Sequence, residues 1–280
     1  MKDSQQLGRE ITKEEMQKLH HVEIELLQEL DRLCRKHGIR YSLDGGTLLG
    51  AVRNSKFIPW DDDVDVLMSH EDYLAFRKIC KKELDSSRFY FQDMETTPGY
   101  RWGYGKLRRK HTKFVREHQE HFPYEQGIFI DIFTMEKVPN YLVLRWVYCV
   151  VRFCYRKIFW SAVGQNSERS IIKRFIYRIL AKTPEKFLKD SYQKFIAHCN
   201  RLNSQWVEYP SFPSCNFQCG YPLRLFLKTE MIEFEGHYYQ AICQRHEFLE
   251  RLYGKNYIMP PPVDQQTFSR LVCLEFEDNI

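Results

Sequence analysis

Leu43-Asp44-Gly45-Gly46-Thr47-Leu48-Leu49-Gly50-Ala51-Val52-Arg53, followed after a short loop by Ile58-Pro59-Trp60-Asp61-Asp62-Asp63-Val64-Asp65-Val66, is the stretch on which the reading of this chain turns. Ile39 to Leu43 has strand character, Gly45-Gly46 reads as a tight turn, and Thr47 to Arg53 as a helical turn or short helix. Paired glycines before a helix start let backbone approach a ligand closely, and N–H groups at a helix N-terminus attract phosphate oxygens. Taken alone, Gly-Gly-Thr signals no more than a turn.

The acidic run says more. Four aspartates within five residues repel one another unless a cation or strong donors neutralise them. From Asp63 to Met68 the chain alternates as a strand, which puts Asp63 and Asp65 on one face and Val64 and Val66 toward a core. Two carboxylates about 7 Å apart along a strand can share a divalent cation as hard oxygen ligands. Ile128-Phe129-Ile130-Asp131-Ile132-Phe133 adds one charge at the centre of an apolar strand, where an isolated carboxylate is costly and must reach a metal, a counter-ion or water. Asp63, Asp65 and Asp131 are therefore the candidate catalytic and metal-binding residues.

Working outward, Thr12 to Glu15 reads as a capping box, and apolar residues from Met16 to Cys34 recur at helical spacing until Gly38. A helix is expected over about His70 to Leu84, and strands near Arg88 to Gln92, Gly103 to Leu107 and Ile128 to Phe133. Helical patterns follow over 140–182 and 185–202, a further helix over Tyr238 to Leu252, and then an extended Pro260-Pro261-Pro262 stretch. Strands and helices mix without a parallel βαβ rhythm, so the expected class is α+β with a small mixed sheet and an added helical region. The expected organisation is a catalytic core over 1–138, a basic aromatic helical region over 139–205, and a C-terminal part over 206–280 packed on the core.

Composition narrows the function. A net charge of +5 over 280 residues is too mild for a protein that wraps nucleic acid, and no nucleic-acid partner is expected. Nine cysteines with no signal-peptide pattern argue for a reducing compartment, hence the cytoplasm. Cys215-x-x-x-Cys219 fits no common zinc-finger spacing. Tyr141 to Trp160 is too interrupted by Arg145, Arg152, Arg156 and Lys157 to span a bilayer. Arg145, Arg152 and Arg156 share one helical face, and Arg169, Lys173, Arg174, Arg178 and Lys182 follow, with Glu168 the one nearby acid. That composition suits a helix at the inner face of an anionic membrane, with the arginines toward lipid.

The two leading motifs resemble the signature of the LicD family, phosphocholine transferases related to fukutin and fukutin-related protein. The similarity continues through Lys106-Leu107-Arg108 with Thr112, Phe129 to Phe133, Phe234-Glu235-Gly236, Leu252-Tyr253-Gly254 and Met259-Pro260-Pro261. The resemblance implies a nucleotidyltransferase fold of the polymerase-β type. It also implies transfer of phosphocholine, or a comparable phospho-alcohol, from a CDP-linked donor to a glycan or lipid-linked glycan, with release of CMP. It implies Mg2+ or Mn2+ on Asp63, Asp65 and Asp131, and donor phosphates on Gly45, Gly46 and Thr47. Arg53, Lys106 and Arg108 are candidate phosphate clamps. The rival readings are a polymerase-β-type enzyme acting on RNA or a small molecule, and a transferase using CDP-ribitol or CDP-glycerol; the resemblance to the LicD signature weighs against the RNA enzyme.

Overall fold

In the computed structural model, which describes residues 8–212, 217–262, 266 and 270–277, helix α1 (Lys13–His37) begins at the expected capping box. The Thr12 hydroxyl accepts from the Glu15 N–H and the Glu15 carboxylate accepts from the Thr12 N–H. It ends at Gly38 in the left-handed conformation, which glycine adopts without a Cβ penalty. Leu19, Val22, Leu26, Leu30 and Leu33 form its buried stripe, each contributing about 1.5–3 kcal/mol of apolar burial.

That stripe packs on a mixed sheet. Among the described residues its strands run in the order β1 (Ser42–Leu43), β2 (Asp65–Ser69), β6 (Phe129–Val138), β4 (Gly105–Arg109), β3 (Phe89–Gln92), with β7 (Trp206–Glu208) and β8 (Tyr221–Pro222) extending the far end of β6. β2 and β6 are parallel, and the other pairs are antiparallel. Helix α2 (Gly45–Asn54) follows β1, and α3 (His70–Glu83) follows β2. The mixed sheet and its helices agree with the expected α/β content.

Three expectations give way. Asp63 lies before the strand rather than in it, since β2 opens at Asp65. β5 (Lys113–Arg116), which pairs with β11 (Leu271–Glu275), was not anticipated. The helix expected over Tyr238 to Leu252 is instead a strand, β10 (His237–Ile242), and a shorter helix, α7 (Arg245–Tyr253). β10 pairs with β9 (Thr229–Phe234) around Glu235 and Gly236, both at positive φ. A two-residue hairpin turn with both central residues at positive φ matches the twist of the flanking strands, so the turn overrides the helical spacing.

The 140–182 region is two helices, α4 (Leu142–Ser167) and α5 (Ile171–Ala181), followed by α6 (Glu185–Asn200). Phe159, Leu188, Tyr192 and Ile196 form a second, smaller apolar cluster there, while Tyr209, Tyr221, Phe234 and Phe248 join the main core with α1 and the sheet. The arginine face of α4 is turned inward, opposite to the expected orientation. Arg145 is 4% exposed and donates to the carbonyls of Gln218 (2.7 Å) and Asn140 (2.6 Å), with its guanidinium 3.9 Å from the Trp206 ring centroid. Arg152 is 3% exposed, donates to the Tyr209 carbonyl at 3.1 Å and lies 3.4 Å from Glu208. Arg156 is half-buried. Arg145 and Arg152 serve packing against Trp206, Glu208, Tyr209 and Gln218, not lipid. Cys215 lies outside the described residues. No helix among them is long and apolar enough to cross a membrane.

Candidate active site

β2 and β6 run parallel with Asp65 directly beside Asp131. Register partners on neighbouring strands project to the same face, so the ladder sets these two carboxylates side by side. Asp63 joins them from the preceding loop, and one carboxylate oxygen from each of the three lies within 4.8 Å of the others. Main-chain bonds hold the segments: the Asp131 N–H donates to the Val64 carbonyl (2.8 Å), and the Asp44 N–H to the Asp65 carbonyl (2.9 Å). The Thr47 hydroxyl accepts from the Asp65 N–H at 2.9 Å, pinning the start of β2 to α2.

The glycine pair has a visible steric purpose. A Cβ on Gly45 would stand 2.6 Å from Asp65 Oδ2, and one on Gly46 would stand 2.1 Å from Asp61 Oδ2. Gly45 also adopts φ +51°, which a side chain disfavours. Without side chains here, two carboxylates rest against the N-terminus of α2, where unpaired N–H groups carry partial positive charge.

Negative charge still exceeds its local compensation. Burial, then Asp63, Asp131, Asp61 and Asp44, push the Asp65 carboxyl well above its usual range. Burial, then Asp63 and Asp62, do the same to Asp61. Burial raises Asp131 also, against the pull of Lys106. The opposing cations are Lys106, 2.5 Å from Asp131 Oδ1, and Arg116, 2.9 Å from Asp63 and 3.2 Å from Asp62. Burial lowers the Lys106 ammonium to about 8, and its Nζ sits 3.3 Å from the Phe129 ring centroid. Burial alone would lower Arg116, but Asp62 and Asp63 outweigh it and hold the guanidinium above its ordinary value.

Two participants escaped the sequence reading. Arg116 lies on the unanticipated β5. Glu23 lies on the buried face of α1, and its oxygens find no hydrogen-bond partner among the described residues. Burial and then Asp63, Asp62 and Asp61 drive its carboxyl far up. An acid between Val22 and Leu26 in an otherwise apolar stripe was the available signal.

Other expected site residues sit differently. Lys106 meets Asp131 across the β4–β6 ladder. Arg108 shares its face of β4, yet its guanidinium donates to Gln92 Oε1 and the Gly127 carbonyl, both at 2.6 Å. Arg53 lies at the opposite end of α2 from Gly45 and donates to the carbonyls of Tyr257 (3.0 Å) and Met259 (2.8 Å), so it is not brought to the carboxylates. An aromatic group borders the site: Tyr104 stacks obliquely on Phe133 with centroids 4.8 Å apart, and Phe133 meets Phe212 at 4.6 Å. Tyr104 also lines a cavity of about 430 Å³ together with Tyr73, Trp102, Tyr192, Asp93 and Glu136.

Comparison with known proteins converges on the same segments. The LicD/FKTN/FKRP nucleotidyltransferase domain matches residues 38–159, which carry all three carboxylates. The lipopolysaccharide cholinephosphotransferase LicD of Haemophilus influenzae is 27% identical over 254 residues, covering 87% of this chain and 91% of LicD. An uncharacterized protein of Rickettsia prowazekii is 28% identical over 117 residues, 42% of this chain and 40% of its own. The human ribitol 5-phosphate transferase FKRP is 57% identical over a 35-residue segment, 12% of this chain and 7% of FKRP. The carboxylate-bearing strands thus lie in a segment, residues 38–159, that matches the LicD/FKTN/FKRP nucleotidyltransferase domain, and LicD aligns along most of both chains.

Proposed function

We propose that this enzyme transfers a phosphorylated small alcohol, phosphocholine foremost, from a CDP-linked donor to a hydroxyl of a cell-surface glycan or its lipid-linked precursor, releasing CMP. The observation that carries the reading is the meeting of Asp63, Asp65 and Asp131 at one point, with more carboxyl groups around it than Lys106 and Arg116 can offset. Relatives named for cholinephosphate and ribitol 5-phosphate transfer support a phosphotransferase.

The three carboxylates fit a hard divalent cation, Mg2+ or Mn2+: they offer oxygen only, closely spaced, and their crowding is relieved by added positive charge. Such an ion would neutralise the donor diphosphate and the charge that develops on the leaving group. The chain's own residues do the remaining work. Donor phosphates would lie beside the start of α2, where Gly45 and Gly46 admit the carboxylates of Asp65 and Asp61. Thr47 fixes Asp65 by its backbone. Lys106 favours the charged form of Asp131 against the burial that raises it, and Asp131 in that form would draw on the proton of an acceptor hydroxyl.

Choline is favoured over ribitol or glycerol by the cavity that Tyr104 shares with the site region. Its aromatic walls and its carboxylates Asp93 and Glu136 suit a quaternary ammonium. Asp93 is shared with Arg77 at 3.3 Å, and Glu136 with His70 at 3.2 Å.

The test is turnover of CDP-choline, CDP-ribitol, CDP-glycerol and nucleoside triphosphates with Mg2+, read as nucleotide released and label transferred to a glycan acceptor. CMP from CDP-choline is expected. Incorporation from nucleoside triphosphates into RNA, with the CDP-alcohols untouched, would establish the polymerase-type reading instead.

A further inference from the structure

Helices α4 and α5 form a hairpin built inside out. A helix on a globular protein turns its apolar stripe to the core and its charges to water. On α4, Arg145 and Arg152 are buried, while Val143, Val147, Val150 and Cys154 recur at i, i+4, i+7 and i+11 on the opposite face and are exposed, Val143 by 76%. On α5, Ile171, Ile172, Phe175, Ile176 and Ile179 form an equally regular stripe, and all five are exposed, Ile171 by 78%. The buried side of α5 is Tyr177, whose ring packs so tightly on Gly164 of α4 that a Cβ there would lie 2.7 Å from it. The two apolar faces are thus fixed outward by the packing that joins the helices. Exposed apolar surface of this extent marks a docking face.

Charge identifies what docks. From Arg156 to Lys182, beyond the inward-turned Arg145 and Arg152, the sequence holds seven basic residues and one acidic residue, Glu168, which lies 3.5 Å from Lys173. Lys173, Arg178 and Lys182 are exposed beside the apolar stripe of α5. The complementary partner is apolar at its centre and anionic at its margin, which describes the headgroup boundary of an anionic bilayer. A second copy of the chain fits poorly, because a two-fold contact would set these basic margins against each other.

We infer that the α4–α5 hairpin lies in the interface of an anionic membrane, with the Val143–Val150 and Ile171–Ile179 stripes inserted and Lys173, Arg178 and Lys182 on the headgroups. The surface that meets lipid is the face of α4 opposite to its arginines. This goes beyond the transferase reading and does not depend on it.

The experiment is flotation of the full chain with phosphatidylcholine vesicles, with and without phosphatidylglycerol, in the absence of donor and acceptor. Co-flotation with the anionic vesicles, weakening as salt rises, is expected. Ile172→Asp with Ile176→Asp should reduce vesicle affinity more than tenfold. Lys173→Glu with Arg178→Glu should reduce it by about fivefold or more per charge. Both double variants change exposed residues, so their melting curves should match that of the parent. Failure of the parent to float with anionic vesicles overturns the inference, as does wild-type flotation by the Asp variant. So does sedimentation showing a dimer that the Asp variant dissociates. A chain that floats but leaves every CDP-alcohol intact would sink the transferase reading alone.

Discussion

Lys106 Nζ stands 2.5 Å from Asp131 Oδ1, and the same two residues are direct cross-strand partners in the β4–β6 ladder. Both are buried, so each is the other's principal compensation. Removing one partner of such a pair costs about 3–5 kcal/mol, because the remaining charge is left buried. Asp131→Asn should therefore lose stability and turnover together, and the stability deficit should narrow at alkaline pH, where Lys106 can be buried neutral. Adding Lys106→Met should restore much of the stability and none of the transfer. Urea unfolding and a transfer assay on the single and double variants check both halves. Recovery of activity in the double variant would mean that Asp131 serves only to balance Lys106.

Asp65 is crowded by like charges, so its removal should separate function from stability. Asp65→Asn should melt above the parent in EDTA while losing more than about a hundredfold in transfer, well beyond the tenfold that about 1.4 kcal/mol represents. Mg2+ should raise the melting temperature of the parent and leave that of Asp65→Asn nearly unchanged. Asp63→Asn should lose transfer similarly without the gain in stability, since Asp63 is paired with Arg116. Retention of more than about a hundredth of activity by either variant would remove these residues from the site.

Arg152 should behave as a structural residue. Arg152→Ala takes the guanidinium from beside Glu208 and from the Tyr209 carbonyl, inside the protein. The expected loss is about 3–5 kcal/mol in urea unfolding. A variant as stable as the parent would contradict the inward packing of this face.

Asp44 gives a pH signature. Its carboxylate accepts from the Tyr209 hydroxyl at 2.7 and 2.8 Å, yet burial outweighs that bond and the Gly45 N–H and raises it to about 6. A carboxyl raised on folding holds its proton more tightly in the native state. Its contribution is fully present below about pH 4, the unfolded value, and is lost as pH rises through about 6. The size is on the order of 3 kcal/mol. Subtracting the stability of Asp44→Asn from that of the parent at each pH isolates the term. A flat difference between pH 4 and 7 would refute it.

Local signals were legible in the sequence because they need no partner. The Thr12 capping box and the Gly38 stop are each decided within a few residues, whereas the Gly45-Gly46 pair, read as a turn, is the first turn of α2. That the three carboxylates group in space was also expected, though for a partly different reason: Asp63 and Asp65 do not share a strand face, and the grouping comes from the Asp65–Asp131 register, a long-range fact. Arg116 was missed because β5 gains its identity from pairing with β11, far along the chain. The α4 arginines show the limit most clearly. Periodicity states which residues share a face, but which side that face meets depends on Trp206, Glu208, Tyr209 and Gln218 packed against it. Arg53 likewise carries no local mark of its commitment to the backbone at Tyr257 and Met259.

The side-by-side placement of Asp65 and Asp131 in a parallel ladder has an evolutionary corollary. The separation of the two acids is a property of main-chain spacing, insensitive to the identity of surrounding side chains. The neighbouring walls, Tyr104, Phe133 and Phe212 among them, come from side chains that substitution can exchange without moving the ladder. On the proposed function, chemistry and selectivity would rest on separate parts of the structure. On that proposal, exchange of the wall residues would change the alcohol or the acceptor while the spacing of Asp65 and Asp131 stays the same.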